Sequence, residues 1–287
     1  MHWTPQRERF RAILAGDRCV HPGSVYDPIS ARIADDLGFE VGMFAGSIAS
    51  MTVIGAPDLV ILTLSEFAQQ ANRICKAFKL PLLVDADHGY GNALSVMRTV
   101  EELENAGVSA MTVEDTELPV AFASGGKPRL TTVEEGVGKM RAALAARQDK
   151  AFTIVGRTSA AQIAGVDEAI ARARAYAAVG VDALFFVGVK DRADLERIRA
   201  AVNLPIILGG TGPELKDRDV LGKLGVRIAL QGHQPFMAAV QATYDTLKAL
   251  REGTAPEKLE RVASADLMKR VTREDDYARW TRDYLGG

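Results

Sequence analysis

The chain has 287 residues, 47% of them hydrophobic and 25% charged, with a formal net charge of −2. That composition fits a soluble globular protein with room for one large barrel or two modest domains, and the near-neutral balance leaves no basic footprint for nucleic acid or a membrane surface. No apolar run is long enough to cross a bilayer and the polar stretch from Met1 to Arg11 lacks a signal-peptide core, so a cytoplasmic protein is expected.

One phrase recurs along the chain: a helical segment ending in Gly, a short apolar strand, then a polar or Gly-rich loop. Gly38 precedes Val41 to Ala45, Gly107 precedes Val108 to Val113, Gly180 precedes Ala183 to Val187, and Gly225 precedes Val226 to Leu230. Gly in these places is what a left-handed helix C-cap requires. With the runs at Cys19 to Pro22, Leu82 to Val84, Phe152 to Val155 and Pro205 to Leu208, the pattern predicts eight buried parallel strands, each followed by a helix. The expected fold is therefore an α/β (β/α)8 TIM-type barrel, a single domain over 1–287, with its site at the C-terminal strand ends. A doubly wound open sheet is the alternative, but no Gly-x-Gly-x-x-Gly follows the first strand. From about Gln234 the chain reads as additional C-terminal helices, broken at Thr254-Ala255-Pro256, with Ser264 and Thr272 as N-caps. Tyr277, Trp280 and Tyr284 recur at helical spacing as a packing face against the barrel or another subunit. Cys19 and Cys75 have no metal-ligand spacing and read as buried, reduced thiols.

The strand ends collect the candidate chemistry. The second runs into Phe44-Ala45-Gly46-Ser47-Ile48-Ala49-Ser50, where small residues let backbone N–H groups approach a substrate carboxylate, or simply form a tight turn. The third ends in Asp85-Ala86-Asp87-His88-Gly89-Tyr90-Gly91, and the fourth in Glu114-Asp115. Asp85 and Asp87 share one face of an extended segment, and converging acids without Lys between them call for a hard divalent cation, Mg²⁺ or Mn²⁺. The competing reading is a pair of helix-capping acids. Arg157, closing the fifth strand, offers a fork for a carboxylate or pairs with a structural acid. His233, after the eighth, is a candidate hydrogen-bond or proton-exchange group, or a structural histidine.

Taken together, Tyr26-Asp27, Gly46-Ser47, Ala56-Pro57-Asp58, Asp85-Ala86-Asp87-His88-Gly89-Tyr90-Gly91, Val113-Glu114-Asp115 and Gly156-Arg157-Thr158 resemble the phosphoenolpyruvate mutase/isocitrate lyase superfamily over most of the chain. The resemblance implies that Asp85 ligates Mg²⁺ directly, that Asp58, Asp87 and Glu114 hold it through water, that amides of Gly46, Ser47 and Ile48 bind a 2-keto-acid carboxylate, and that Arg157 binds a carboxylate or phosphonate. It also implies a dimer-of-dimers homotetramer with the last barrel helix exchanged between subunits, so that 234–287 lies partly in oligomer contacts.

What is missing selects the branch. The loop Glu117 to Arg129 has no Lys-Lys-Cys-Gly-His segment, so the thiol acid/base of the isocitrate-cleaving relatives is absent, and it lacks the Lys-x-Asn of the phosphonomutases. Gly209-Gly210-Thr211-Gly212 lacks the acidic or amide side chains that tricarboxylate-cleaving relatives often carry there. With His233, the pattern looks most like the oxaloacetate decarboxylase branch: Mg²⁺-dependent conversion of a small 2-keto dicarboxylate, oxaloacetate, to pyruvate and CO₂ through a metal-stabilised enolate. Arg157 and the Gly46 to Ile48 amides would orient the substrate, His233 would hydrogen-bond it or help protonate the enolate, and Gly125-Gly126 would hinge a lid. A C–C lyase for a 2-methylisocitrate- or 2,3-dimethylmalate-like substrate and a non-catalytic metal and keto-acid sensor are the alternatives.

Overall fold

A computed structural model describes residues 2–120, 122, 125–210 and 212–286. Helix α1 (Thr4–Ala15) leads to β1 (Gly23–Ser24) and α2 (Pro28–Asp36); β2 (Gly42–Ala45) runs into the short α3 (Gly46–Ala49), a π-helical turn over Ser50–Ile54 and α4 (Leu64–Ala77). Then come β3 (Leu82–Asp85), α5 (Ala93–Ala106), β4 (Ala110–Glu114), α6 (Val133–Ala146), β5 (Thr153–Thr158), α7 (Ala160–Ile163), α8 (Val166–Val179), β6 (Ala183–Phe186), α9 (Arg192–Ala201), β7 (Ile206–Leu208), α10 (Arg218–Lys223) and β8 (Val226–Ala229). After β8 follow α11 (Gln234–Arg251), a 3-10 turn over Pro256–Lys258, α12 (Ala265–Thr272) and α13 (Glu274–Leu285).

The eight strands pair in chain order, all parallel. The sheet curls until β8 meets the segment before β1: the Val20 N–H donates to the Arg227 carbonyl at 2.9 Å and the Ala229 N–H to the Val20 carbonyl at 3.0 Å. The expected barrel is thus present. The run Cys19 to Pro22 supplies that bridge, while regular pairing with β2 starts one residue beyond it, at Gly23. Gly38, Gly107, Gly180 and Gly225 all take the left-handed conformation, with φ of 80°, 98°, 100° and 82°. There an L side chain would be strained, and the Gly ends its helix and turns the chain into the next strand.

Because strand side chains alternate, each strand serves two layers. Met43, Leu83, Ala110, Val155, Ala183, Phe185, Ile207 and Ile228 fill the barrel interior together with Phe10 and Leu14 of α1. Phe44, Val84, Met111, Ile154, Leu184 and Leu208 pack outward under the helices. Helix α1 plugs the N-terminal mouth, and burying each such large apolar side chain stabilises the fold by about 1.5–3 kcal/mol. Fully buried Arg7 anchors the plug, donating from Nε to the Val108 carbonyl at 3.0 Å and from Nη1 to Asp149 Oδ2 at 2.8 Å.

Ser264 does cap α12, accepting from the Leu267 N–H at 3.2 Å. Thr272 caps nothing: it is the last residue of α12 and its hydroxyl donates to the Met268 carbonyl at 2.8 Å, while α13 starts after Arg273 in the left-handed conformation. Helix α11 occupies the eighth helical place in the sequence, yet buries no residue and exposes Met237, Val240, Tyr244 and Leu247 along one stripe. Tyr277 and Trp280 meet edge to face at 5.1 Å and, with Tyr284, are exposed. Among the described residues no helix is long and apolar enough to cross a membrane.

Candidate active site

The same alternation that fills the interior delivers the site, two residues further along each strand. After Met43 comes Ala45, after Leu83 comes Asp85, after Ala110 come Thr112 and Glu114, after Val155 comes Arg157, and after Ala183 comes Phe185. Parallel register then sets these side by side: Asp85 pairs with Ala45 on one side and Thr112 on the other, Glu114 with Arg157, and Arg157 with Phe185. All of these except fully buried Thr112 line a cavity of about 290 Å³ at the C-terminal mouth, joined by Ser47, Asp58, Asp87 and His233 and by apolar Met43, Val60, Leu118, Val187 and Leu230.

Asp85 sits at the centre. Thr112 Oγ1 donates to its Oδ1 at 2.8 Å, the Asp87 N–H reaches the same oxygen at 3.3 Å, and Arg157 Nη1 pairs with Oδ2. Arg157 Nη2 lies 3.1 Å from Glu114 Oε2, and its guanidinium stands 5.3 Å from the Phe185 ring centroid, a cation–π contact. The guanidinium thus faces the acids. Its Nε is a buried donor without a protein partner among the described residues.

Asp87 is placed by its backbone. It has φ of 48°, and its carbonyl accepts from the Glu114 N–H at 2.8 Å. Gly89, at φ 81°, fits only without a side chain, because a Cβ there would overlap Val96. Lys139 of α6 ties this loop down, donating to the His88 carbonyl at 3.1 Å. The Asp87 carboxylate lies against Gly46, where a Cβ would stand 2.6 Å from Oδ2. Of the expected amide cradle, Ser47 reaches the cavity wall, Gly46 packs on Asp87 and Ile48 is fully buried. The α3 amides nevertheless follow the mouth end of β2, where first-turn N–H groups lack intrahelical acceptors.

The charges do not balance: Asp58, Asp85, Asp87 and Glu114 share the cavity with one guanidinium, Arg157. Burial, reinforced by Asp85, Glu114 and Asp58, pushes Asp87 well above the usual carboxylate range, and burial raises Glu114 against the opposing pull of Arg157. A divalent cation would relieve this, and an all-oxygen donor set suits Mg²⁺. Among the described residues no group of three or more His, Cys, Asp or Glu side chains is placed to hold a metal ion. An ion here would be held directly by at most two of these side chains and otherwise by water, a coordination common for Mg²⁺.

Half-buried His233 closes the opposite side. Its Nδ1 lies 2.8 Å from Ser24 Oγ, and burial lowers its pKa although Asp85 and Asp58 pull the other way. Asp115, paired with Glu114 in the sequence reading, points outward and is held by Arg172 Nη1 at 3.1 Å and Tyr176 Oη at 2.7 Å. Asp27 caps α2, accepting from the Ser30 N–H at 2.6 Å. Cys19 and Cys75 are buried away from the cavity, and burial pushes their thiols up to about 11 and about 12. Around the 117–130 loop, the Glu117 N–H donates to the Arg129 carbonyl at 2.8 Å and the Thr131 N–H to the Asp115 carbonyl at 2.8 Å. Its residues Ala121, Ala123 and Ser124, and Thr211 of the β7 loop, lie outside the described residues.

The sequence reading missed Ser24, Thr112 and Phe185. Thr112 and Phe185 meet Asp85 and Arg157 through strand register, and Ser24 meets His233 across the closing seam; one sequence carries no direct signal for either, the inward period of β4 and β6 being the nearest clue to the first two.

A (β/α)8 barrel with acids, one guanidinium and one imidazole at its C-terminal mouth is an enzyme scaffold. A profile of the phosphoenolpyruvate phosphomutase family matches residues 10–251. The chain is 56% identical over 286 residues, all of it and 99% of the relative, to an oxaloacetate decarboxylase of Bradyrhizobium diazoefficiens (strain JCM 10833 / BCRC 13528 / IAM 13628 / NBRC 14792 / USDA 110). Its fold matches oxaloacetate acetylhydrolase in complex with the inhibitor 3,3-difluorooxalacetate (TM-score 0.86, 27% identity, 99% and 98% of the two chains). It also matches a phosphonopyruvate hydrolase complex with oxalate and Mg²⁺ (TM-score 0.84, 26% identity, 98% and 99%). The chain belongs to the phosphoenolpyruvate mutase/isocitrate lyase superfamily.

Proposed function

We propose that this protein is a Mg²⁺-dependent oxaloacetate decarboxylase, releasing pyruvate and CO₂ in the cytoplasm. The observation that carries the reading is the single cavity in which Asp85, Asp87, Glu114 and Asp58 face one Arg157 and one His233, in a chain 56% identical to a relative of that name. Asp85 would hold the ion directly, with Asp58, Asp87 and Glu114 holding its waters; Mn²⁺ is a chemical substitute. When bound, the ion supplies the Lewis acidity that takes up the electrons of the breaking C3–C4 bond.

The chain's own residues do the rest. The Gly46 to Ile48 amides and Arg157, whose Nε has no protein partner among the described residues, bind and orient the keto acid. His233, held neutral by burial, hydrogen-bonds a substrate oxygen. Met43, Val60, Leu118, Val187 and Leu230 make the remaining lining apolar. Such a wall solvates a departing carboxylate worse than neutral CO₂, which favours bond breaking. The unpartnered stripe on α11 and the aromatic face of α13 support a homotetramer that exchanges α11 between subunits.

The test is a panel of oxaloacetate, 2-methylisocitrate, 2,3-dimethylmalate and phosphonopyruvate with CO₂, pyruvate and phosphate each assayed. The expected result is CO₂ and pyruvate from oxaloacetate, faster than free Mg²⁺ produces them. Pyruvate plus a second carbonyl or dicarboxylic product from either malate-type substrate would establish the C–C lyase instead, and turnover no faster than free Mg²⁺ would leave a keto-acid-binding barrel.

A further inference from the structure

Across the barrel's closing seam, Ser24 Oγ at the end of β1 lies 2.8 Å from Nδ1 of His233, in the loop that follows β8. His233 occupies the N-cap position of α11, where a polar side chain ordinarily accepts from the first turn, yet it makes no capping hydrogen bond. Its Nδ1 is committed to Ser24 instead, and Nε2 is the ring nitrogen left for the cavity it lines. Ser24 Oγ has no other hydrogen-bond partner among the described residues, so its hydroxyl proton finds an acceptor when it points at Nδ1.

A neutral imidazole carries one N–H, and the bond made by one nitrogen decides what the other offers. An Nδ1 that accepts from Ser24 places the proton on Nε2. The acids Asp85 and Asp58 act on the ring from the cavity side and favour the same arrangement, with the N–H dipole turned toward negative charge. The tautomer matters because a bare Nε2 would repel the oxygen on which negative charge grows, whereas Nε2–H donates to it.

We infer that Ser24 is a positioning residue: by donating to Nδ1 it fixes His233 as the Nε2–H tautomer and aims that donor at the substrate oxygen that becomes anionic. The inference rests on the decarboxylase reading for its catalytic consequence but not for its structural one, and the two are tested separately.

The structural test is ¹⁵N NMR of histidine-labelled protein, resolving the His233 signals by comparison with His233→Gln. The wild type is expected in the Nε2–H form and Ser24→Ala in a mixture of tautomers, while Ser24→Thr, which keeps the hydroxyl, retains the wild-type spectrum. A wild-type Nδ1–H form, or a Ser24→Ala spectrum equal to the wild type, would overturn the inference whatever the enzyme's activity. The kinetic test is oxaloacetate turnover at saturating Mg²⁺. Ser24→Ala should lower kcat by about 10-fold, a part of the 10²–10³-fold that an oxyanion donor contributes, with KM and Mg²⁺ affinity near wild type and Ser24→Thr restoring the rate. An unchanged kcat, or a loss confined to KM or to thermal stability, would show Ser24 to be structural only. Failure of the wild type itself to decarboxylate oxaloacetate would refute the functional reading and leave the NMR result standing.

Discussion

Replacing Gly46 by Ala probes the proposed metal site without touching a charged group. The added Cβ would stand 2.6 Å from Asp87 Oδ2, 2.7 Å from Oδ1 and 2.9 Å from Cγ, all closer than the 3.0 Å limit of real Cβ contacts. Gly46 opens α3 with no left-handed backbone, so Ala meets no conformational penalty there. The overlap is relieved most cheaply by retreat of the Asp87 carboxylate, the side-chain end that meets the new Cβ. Loss of a water-mediated partner of this kind costs about 10–100-fold in metal affinity, roughly 1.4–2.7 kcal/mol. Isothermal titration with Mn²⁺ and thermal melting with excess EDTA separate the effects: weaker metal binding is expected with a melting temperature within a few degrees of wild type. A Gly46→Ala protein that binds Mn²⁺ as tightly as the wild type would refute the placement of Asp87 beside the ion.

Asp85→Ala should abolish both metal binding and turnover, because it removes the proposed direct ligand and leaves Arg157 paired with Glu114 alone; full activity in EDTA would sink the metal assignment. His233→Ala should lower kcat by roughly 10²-fold while Mg²⁺ affinity holds, and decarboxylation at the wild-type rate would exclude its catalytic role. Asp149 is a stability prediction. Burial pushes its carboxyl up, but hydrogen bonds from Arg7, the Ala151 N–H and Thr4 outweigh this and bring it from 3.8 to about 2. A depressed carboxyl stabilises the fold fully above its unfolded value and loses that contribution as pH falls toward its folded one, on the order of 2 kcal/mol here. The melting-temperature gap between wild type and Asp149→Asn should therefore be widest above pH 4 and narrow toward pH 2, and a gap independent of pH would contradict the pairing with Arg7.

The barrel was legible because its punctuation is chemical: the Gly residues at 38, 107, 180 and 225 mark four helix ends by the one conformation other residues avoid. The acids were legible because Asp85 and Glu114 stand where apolar runs stop. Which neighbour each meets was not, since that depends on register: Thr112 reaches Asp85, and Phe185 lies against Arg157, only through strand pairing. Asp115 read like its neighbour Glu114 but turns outward to Arg172, because one step along a strand changes the face. Thr272 looked like a cap because its residue type suits one, while the chain turns through Arg273 instead.

The barrel is closed unevenly. Six strand pairs keep an unbroken register and the β7–β8 pair carries one irregularity at Ile206/Ile207, whereas the backbone pairing of β8 with the chain before β1 is confined, among the described residues, to Val20. Local openings begin where fewest backbone bonds must break, so the Val20 and Ala229 amides should exchange with deuterium sooner than those of β3 to β6. That seam carries Ser24 on one lip and His233 on the other. Breathing of the barrel and loosening of the imidazole would then be one event, and a substrate analogue that grips His233 would slow exchange at a strand it never touches.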